Sequence, residues 1–531
     1  MSGQPAIDVS VLSDGYRQRI SELGESSVLV DLGEIRVTAH EQRRIGQLNF
    51  FKRWYLLCHL AYMLSIVLAG TAALRLTEGG SLGWVDALFV SMSAACNCGL
   101  QTVNMSTWKD SSHVIRHIVM ILGGVVFTSM YQPILRIVLL YRVGFVFLPH
   151  ENDSPSEGRL RETKRVYADR IRIASILSVL TTASYFILVH CIAFLLLVSL
   201  NSSNLSFWQA VSITLTSFHG CVFSSLVAYA GDPCVVLVVS SCCALGFTAF
   251  PVLLRLFFHL ARLCSSVMVR LKKKFLAGDA QSVVTPLLSH GPVPLIGNRW
   301  LHGFEDILMS SHPGNFHPFL FLKTECTFLG VAWLLLTLFQ AAPFWFEQWH
   351  GVLKAYGTPY KVFLSVCQAA SVRFAAASFV PLHEYSNAHI AVTILAMYLP
   401  ALPISTDRTY RKWKEMFRTS LFRLLTSRLF WLFSALLCIL FKEENEMREK
   451  VRGTRFDIMT RAFFEIISGY SGCGLSLSLL PSDVSFIGSA SSFSKVIIIL
   501  VLFGGRHRFV DLGIDLGLNM LQQEVRLRVN D

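Results

Sequence analysis

The chain has 531 residues, of which 53% are hydrophobic and only 15% charged, with a mean hydropathy of +0.50. Soluble domains carry roughly a quarter charged residues, so this composition excludes one and describes a polytopic membrane protein. The net charge of +12 does not signal a nucleic-acid partner, because the Lys and Arg residues lie between apolar spans, as in cytoplasmic loops.

The first fifty residues are polar and mixed in charge (Asp8, Arg17, Arg19, Glu22) and read as a cytosolic arm (1–50). They hold no short apolar core of a cleavable leader, so the first span is expected to act as an uncleaved insertion signal. That span runs from about Trp54 to Leu76, long enough to cross a bilayer as a helix. A shorter apolar stretch, Leu82 to Ala95, cannot cross and leads into Cys96-Asn97-Cys98-Gly99. A third span, about His117 to Tyr141, completes a first unit (51–148) of helix, half-helix, loop and helix.

A basic linker (149–172) precedes a second unit (173–260), with spans at about Ile173–Leu200 and Val235–Leu260 and a loop around Gly220-Cys221-Val222. Residues 261–320 read as a cytosolic linker, basic and then rich in Gly, Pro and His. The third unit (321–404) has spans at about Leu322–Phe346 and Asn387–Ile404, with a half-helix near Val362–Ala370. After another basic linker (405–428), the fourth unit (429–512) has spans at about Leu429–Phe441 and Phe493–Phe503, both short for a crossing. A tail (513–531) closes the chain. The expected fold is all-α, with eight transmembrane helices and four re-entrant half-helices around one pore. An even number of crossings puts both termini on the side of the basic linkers, the cytosol. The sequons at Asn104, Asn201 and Asn204 fall on the opposite face.

The loops carry the repeat. The fourth reads Ser468-Gly469-Tyr470-Ser471-Gly472-Cys473-Gly474, and placing Gly99 under Gly474 puts Ser93 under Ser468 and Cys98 under Cys473. The second loop adds Cys221 to that column and the third, around Arg373, Ala375 and Ala376, is a weaker copy. Glycine accepts dihedrals that other residues cannot, and non-helical backbone at membrane depth survives only where it is buried in protein or lines a wet cavity. The candidate filter is therefore Cys96, Asn97, Cys98, Gly99, Gly220, Cys221, Val222, Ala375, Ala376, Gly472, Cys473 and Gly474. In the second loop Val222 aligns with the filter glycines, and Gly220 is the alternative if the register slips. Most of the 13 cysteines lie in apolar segments (Cys58, Cys191, Cys242, Cys243, Cys438), where they act as small hydrophobes. No paired CxxC set appears, so no resident metal is expected.

Four such units in one chain resemble the Trk/Ktr/HKT superfamily of monovalent cation transporters, over about residues 50–520. Phe464-Glu465-Ile466-Ile467-Ser468-Gly469-Tyr470 and the Gly474 loop look like that family's last pore segment, and Gly246 to Arg255 is similar to its fungal and plant branch. Arg506 and Arg508 resemble the basic cluster of its final helix, and Arg373 matches an arginine before the third filter position. The resemblance implies a backbone-carbonyl filter passing potassium and no cofactor. It also implies a homodimer embedded in lipid with one pore per chain, and a multi-pass protein of the plasma membrane. Gly99 fits the potassium-permeable members, whereas Val222 and Ala376 replace glycines and leave sodium permeation open. No GxxxxGK[ST] motif, nucleotide-binding domain, HExxH or nucleophile elbow is present, so an enzyme is not expected. A sodium-selective or sodium–potassium coupled carrier and a non-conducting partner subunit are the competing readings.

Overall fold

The computed structural model describes residues 35–37, 39–144, 155–200, 205–223, 226–279, 296–310, 313–373, 375, 377–399, 428–479, 484–507 and 527–529. Apart from two three-residue strands, β1 (Ile35–Val37) and β2 (Leu527–Val529), which pair in parallel, the described secondary structure is helical. Among the described residues, five helices are long and apolar enough to span a membrane, including Leu57–Ser81, Ala168–Ser199 and Lys323–Phe346. Large apolar side chains on their outer faces, such as Leu188, Leu195, Phe328 and Leu335, are exposed, as helices meeting lipid require. The chain is a multi-pass membrane protein.

Each unit begins with a long helix: α1 (Ala39–Glu78), α6 (Pro155–Ser199), α11 (Lys323–Phe346) and α14 (Arg428–Val451). A short helix follows in each: α2 (Trp84–Ala95), α7 (Phe207–Phe218), α12 (Thr358–Val372) and α15 (Ile458–Ser471). Their N-termini are capped as their sequences allow. Ser206 and Gln209 form a reciprocal capping box on α7, and Asp457 accepts from the Thr460 amide on α15. The fourth unit's first span is longer than its apolar core, because α14 continues through Lys442 to Val451 into polar sequence.

The expected third span, His117–Tyr141, is not one helix. It is α3 (Asp110–Gly123), α4 (Val125–Ser129) and α5 (Tyr131–Gly144), with Gly124 leaving the helical region at ψ 144°. The second unit breaks at the matching place. There α8 (Pro233–Cys243) passes through a π turn, Ala244–Thr248, into α9 (Phe250–Asp279). Both breaks follow from packing. A Cβ on Gly123 would lie 2.6 Å from the Ala95 carbonyl carbon, and one on Gly246 would lie 2.6 Å from that of Phe218, with the oxygens nearer still. The carbonyls loosened by each break find the same partner type. Tyr62 donates to the Leu122 carbonyl (3.2 Å) and Tyr185 to that of Leu245 (2.6 Å), each pair 60 residues apart. The two units thus keep one register from first helix to last.

Part of the expected linker between the second and third units is helical. It holds α10 (Ile296–Met309), which packs on α6 and α9 through Phe304, Ile307 and Leu308. Arg170 pairs with Asp306 and Arg262 with Glu305 (3.0 Å), fixing it. The remaining helices are α13 (Asn387–Tyr398) and α16 (Ser492–Arg506). Neighbouring units touch in cyclic order: α3 on α7, α8 on α12, α13 on α15, and α16 on α2.

Candidate functional site

The four short helices end toward one another, and three end in the same way. The Asn97, Gly220 and Gly472 amides donate to Ala94, Ser217 and Gly469, and the next residue, Cys98, Cys221 or Cys473, donates to Ser93 (2.9 Å), Thr216 (2.8 Å) or Ser468 (2.9 Å). This is the two-bond closure that needs a left-handed residue at the first position. Asn97 (φ 55°), Gly220 (φ 68°) and Gly472 (φ 72°) supply it. Gly220 is therefore the counterpart of Gly472, and Val222 is the counterpart of Gly99 and Gly474. Those two glycines have φ 97° and 84°, a conformation Val222 does not share. In the third loop Arg373 follows the last helical residue and is buried, and the Ala375 amide donates to Ser371 (3.1 Å). Ala376 and Arg508 lie outside the described residues.

The cysteines link the loops in sequence around the ring. The Cys98 thiol points to the Ser468 carbonyl (3.8 Å), Cys221 to that of Ser93 (3.9 Å) and Cys473 to that of Val372 (2.9 Å). Each thiol is a weak donor to the last turn of the short helix in the preceding unit. Ala375 occupies the same column of the third loop without a thiol. Loops one and four approach closely as well, since a Cβ on Gly474 would lie 2.5 Å from the Cys98 carbonyl carbon.

Buried polar side chains brace the segments that follow the short helices. Glu465 accepts from the Ser476 hydroxyl (2.6 Å) and the Ile487 amide (3.2 Å). Gln368 does the same for the third loop, accepting from the Phe379 amide (2.7 Å) and donating to Ser378 (2.8 Å) and Tyr385 (2.9 Å). The Gln101 amide donates to Ser485 Oγ (2.9 Å), its carbonyl accepts from the Ser485 amide (2.9 Å) and its side chain donates to the Phe223 carbonyl (3.0 Å), tying loop one to its neighbours on both sides. Sequence reading missed Gln101 and Gln368. The constant offset between Tyr62 and Tyr185, and between Gly123 and Gly246, was a visible signal for the breaks.

Beneath the loops lies a small cavity lined by Cys96, Asn97, Phe247, Gly472, Gly505 and Arg506. A Cβ on Gly505 would lie 2.8 Å from the Tyr470 carbonyl carbon, repeating the contacts of Gly123 and Gly246. Arg506 is thus the counterpart of Phe247 and Gly124. Its guanidinium crosses to the first unit, donating to the Gly123 carbonyl and to Thr128 Oγ1 (3.0 Å). A cation suits that place, because the carbonyls at a helix C-terminus carry partial negative charge. Among the described residues, no group of His, Cys, Asp and Glu has the arrangement of a metal site.

Residues 411–524 match a family model, TrkH, described as a cation transport protein. This match lies on the fourth unit and its flanks. Among solved structures the chain is similar to the potassium transporter TrkH from Vibrio parahaemolyticus at 13% identity and a TM-score of 0.43, over 88% of this chain and 84% of that one. No curated protein matches it.

Proposed function

We propose that the chain carries potassium into the cell through the ring of four loops, with sodium as a second permeant ion. The carrying observation is the shared ending of three loops, each held by a thiol to the unit before it. Carbonyls on such a turning backbone can replace the water shell of a potassium ion without fixed charge. The C-terminal ends of the short helices add partial negative charge beside the path. An inside-negative potential favours entry by about 2.3 kcal/mol per charge for each 100 mV. In this reading Cys96–Gly99, Gly220–Val222, Ala375–Ala376 and Gly472–Gly474 form the filter, Arg373 braces the third loop, and Arg506 limits flux below it, with Arg508 beyond. The transporter acts as a homodimer in the plasma membrane with both termini cytosolic.

The test is potassium and sodium flux in a host lacking its own potassium uptake, with V222G and A376G alongside. Wild-type growth on low potassium supports the reading, and the variants then report how the two side chains set sodium passage. A wild type that is silent at the cell surface, beside a double variant that conducts, points instead to a degenerate pore. Silence from both, with surface delivery measured, refutes transport and favours a partner subunit.

A further inference from the structure

The three glycines that abut the short helices give an internal ruler. Two turns before Gly246 stands Val239, and two turns before Gly505 stands Ile498, both fully buried. Two turns before Gly123 the chain places Arg116, which is only 4% exposed. One scaffold position is therefore an aliphatic side chain twice and a cation once. Packing alone does not call for the charge, since its counterparts manage without it.

The surroundings do not neutralise the charge. The guanidinium carbon lies 4.4 Å from the Phe223 ring centroid. One terminal nitrogen contacts the Met105 sulfur (3.1 Å), the other lies 3.5 Å from His117 Nε2, and Nε has no partner. His113 sits one turn earlier on the same helix. Among the described residues no carboxylate bonds to Arg116. An arginine stays protonated in proteins, and a buried charge without a counterion is unfavourable enough to mark function rather than stability. Phe223 follows Val222 directly, and its carbonyl holds Gln101 of the first loop. The cation therefore stands behind the second loop, at the seam between units one and two.

We propose that Arg116 is a specificity residue, a fixed positive charge that discriminates against divalent cations entering the pathway. This rests on the transport reading above. The repulsion scales with the charge of the ion, so any factor by which Arg116 weakens monovalent binding is squared for a divalent ion. Removing the charge relaxes both, the divalent twice as far on a logarithmic scale.

Rubidium uptake into proteoliposomes, titrated with barium, tests this on wild type, R116M, R116Q and R116K. The expected result for R116M and R116Q is a half-blocking barium concentration lower by about tenfold, with the half-saturating rubidium concentration lower by about threefold. R116K keeps the wild-type values. Unchanged barium block in the neutral variants, equal shifts for the two ions, or loss of discrimination in R116K each overturn the proposal. So does failure of all three variants to fold, which would make the residue structural. A folded wild type that carries no rubidium refutes the transport reading itself, a distinct outcome.

Discussion

Replacing Gly474 with alanine probes the contact between the first and fourth loops. Two penalties combine. Gly474 has φ 84°, and a side chain in left-handed backbone costs about 1–2 kcal/mol. The new Cβ would also stand 2.5 Å from the Cys98 carbonyl carbon and 2.9 Å from Gly99 Cα. Ordinary contact begins near 3.4 Å, and these neighbours are backbone, so the first loop must retreat. Overpacking of this kind costs about 1–3 kcal/mol. The total, roughly 2–5 kcal/mol, is a large part of a native margin of about 5–15 kcal/mol. The displaced carbonyl is itself a proposed ion ligand, so G474A should lose most rubidium uptake as well as thermal stability. The control is G504A, in the same unit, where an added Cβ meets nothing within 4 Å and helix propensity favours alanine by about 0.5–1 kcal/mol. Wild-type uptake and melting temperature in G474A would refute the close approach of the two loops.

Two further substitutions test the bracing. E465Q retains one acceptor but turns an amide toward groups that already donate, Ser476 and the Ile487 amide. It should lower stability by about 1–3 kcal/mol, read as a lower melting temperature. Y62F and Y185F each remove a hydroxyl from a carbonyl at a helix break. Each should cost about 1 kcal/mol, and the two should be additive in a thermal or denaturant melt because the sites are distant. A cost confined to one of them would show that the two breaks are not held alike.

The short helices and their loops were legible because their signals are local. Twelve mostly apolar residues before Cys96, then Asn-Cys-Gly, can form neither a crossing nor a longer helix. The shared cysteine column suggested the register, and Gly220 takes the left-handed position after its helix that Gly472 takes after its own. The helix breaks were passed over despite the constant offset between Tyr62 and Tyr185, since Ile, Leu and Val around Gly123 favour a continuous apolar span. What ends that helix is the Ala95 carbonyl, distant in sequence. Likewise α10 hides in a stretch rich in Gly, Pro and His, and its helix is fixed by docking on α6 and α9. Arg116 was invisible for a related reason. It stands one residue before the expected span at His117, and only the fold shows its burial against Phe223.

The matched positions separate what the scaffold requires from what each unit is free to set. Where backbone meets backbone the units agree: Gly123, Gly246 and Gly505 stand against helix-end carbonyls, and Asn97, Gly220 and Gly472 take the left-handed turn. Any other choice there would add a clash or strain. Where side chains face the cavity or the seams, they differ. Gly124, Phe247 and Arg506 share one place, and Arg116, Val239 and Ile498 share another. Joining the units in one chain makes that difference possible, because a homotetramer would have to place four guanidinium groups around the axis at once. Their mutual repulsion across a low-dielectric gap would be severe. A single Arg506, reaching sideways to the freed carbonyl of Gly123, lines the cavity without that penalty. The same logic lets one loop carry valine, with the other three free to keep their own backbone geometry.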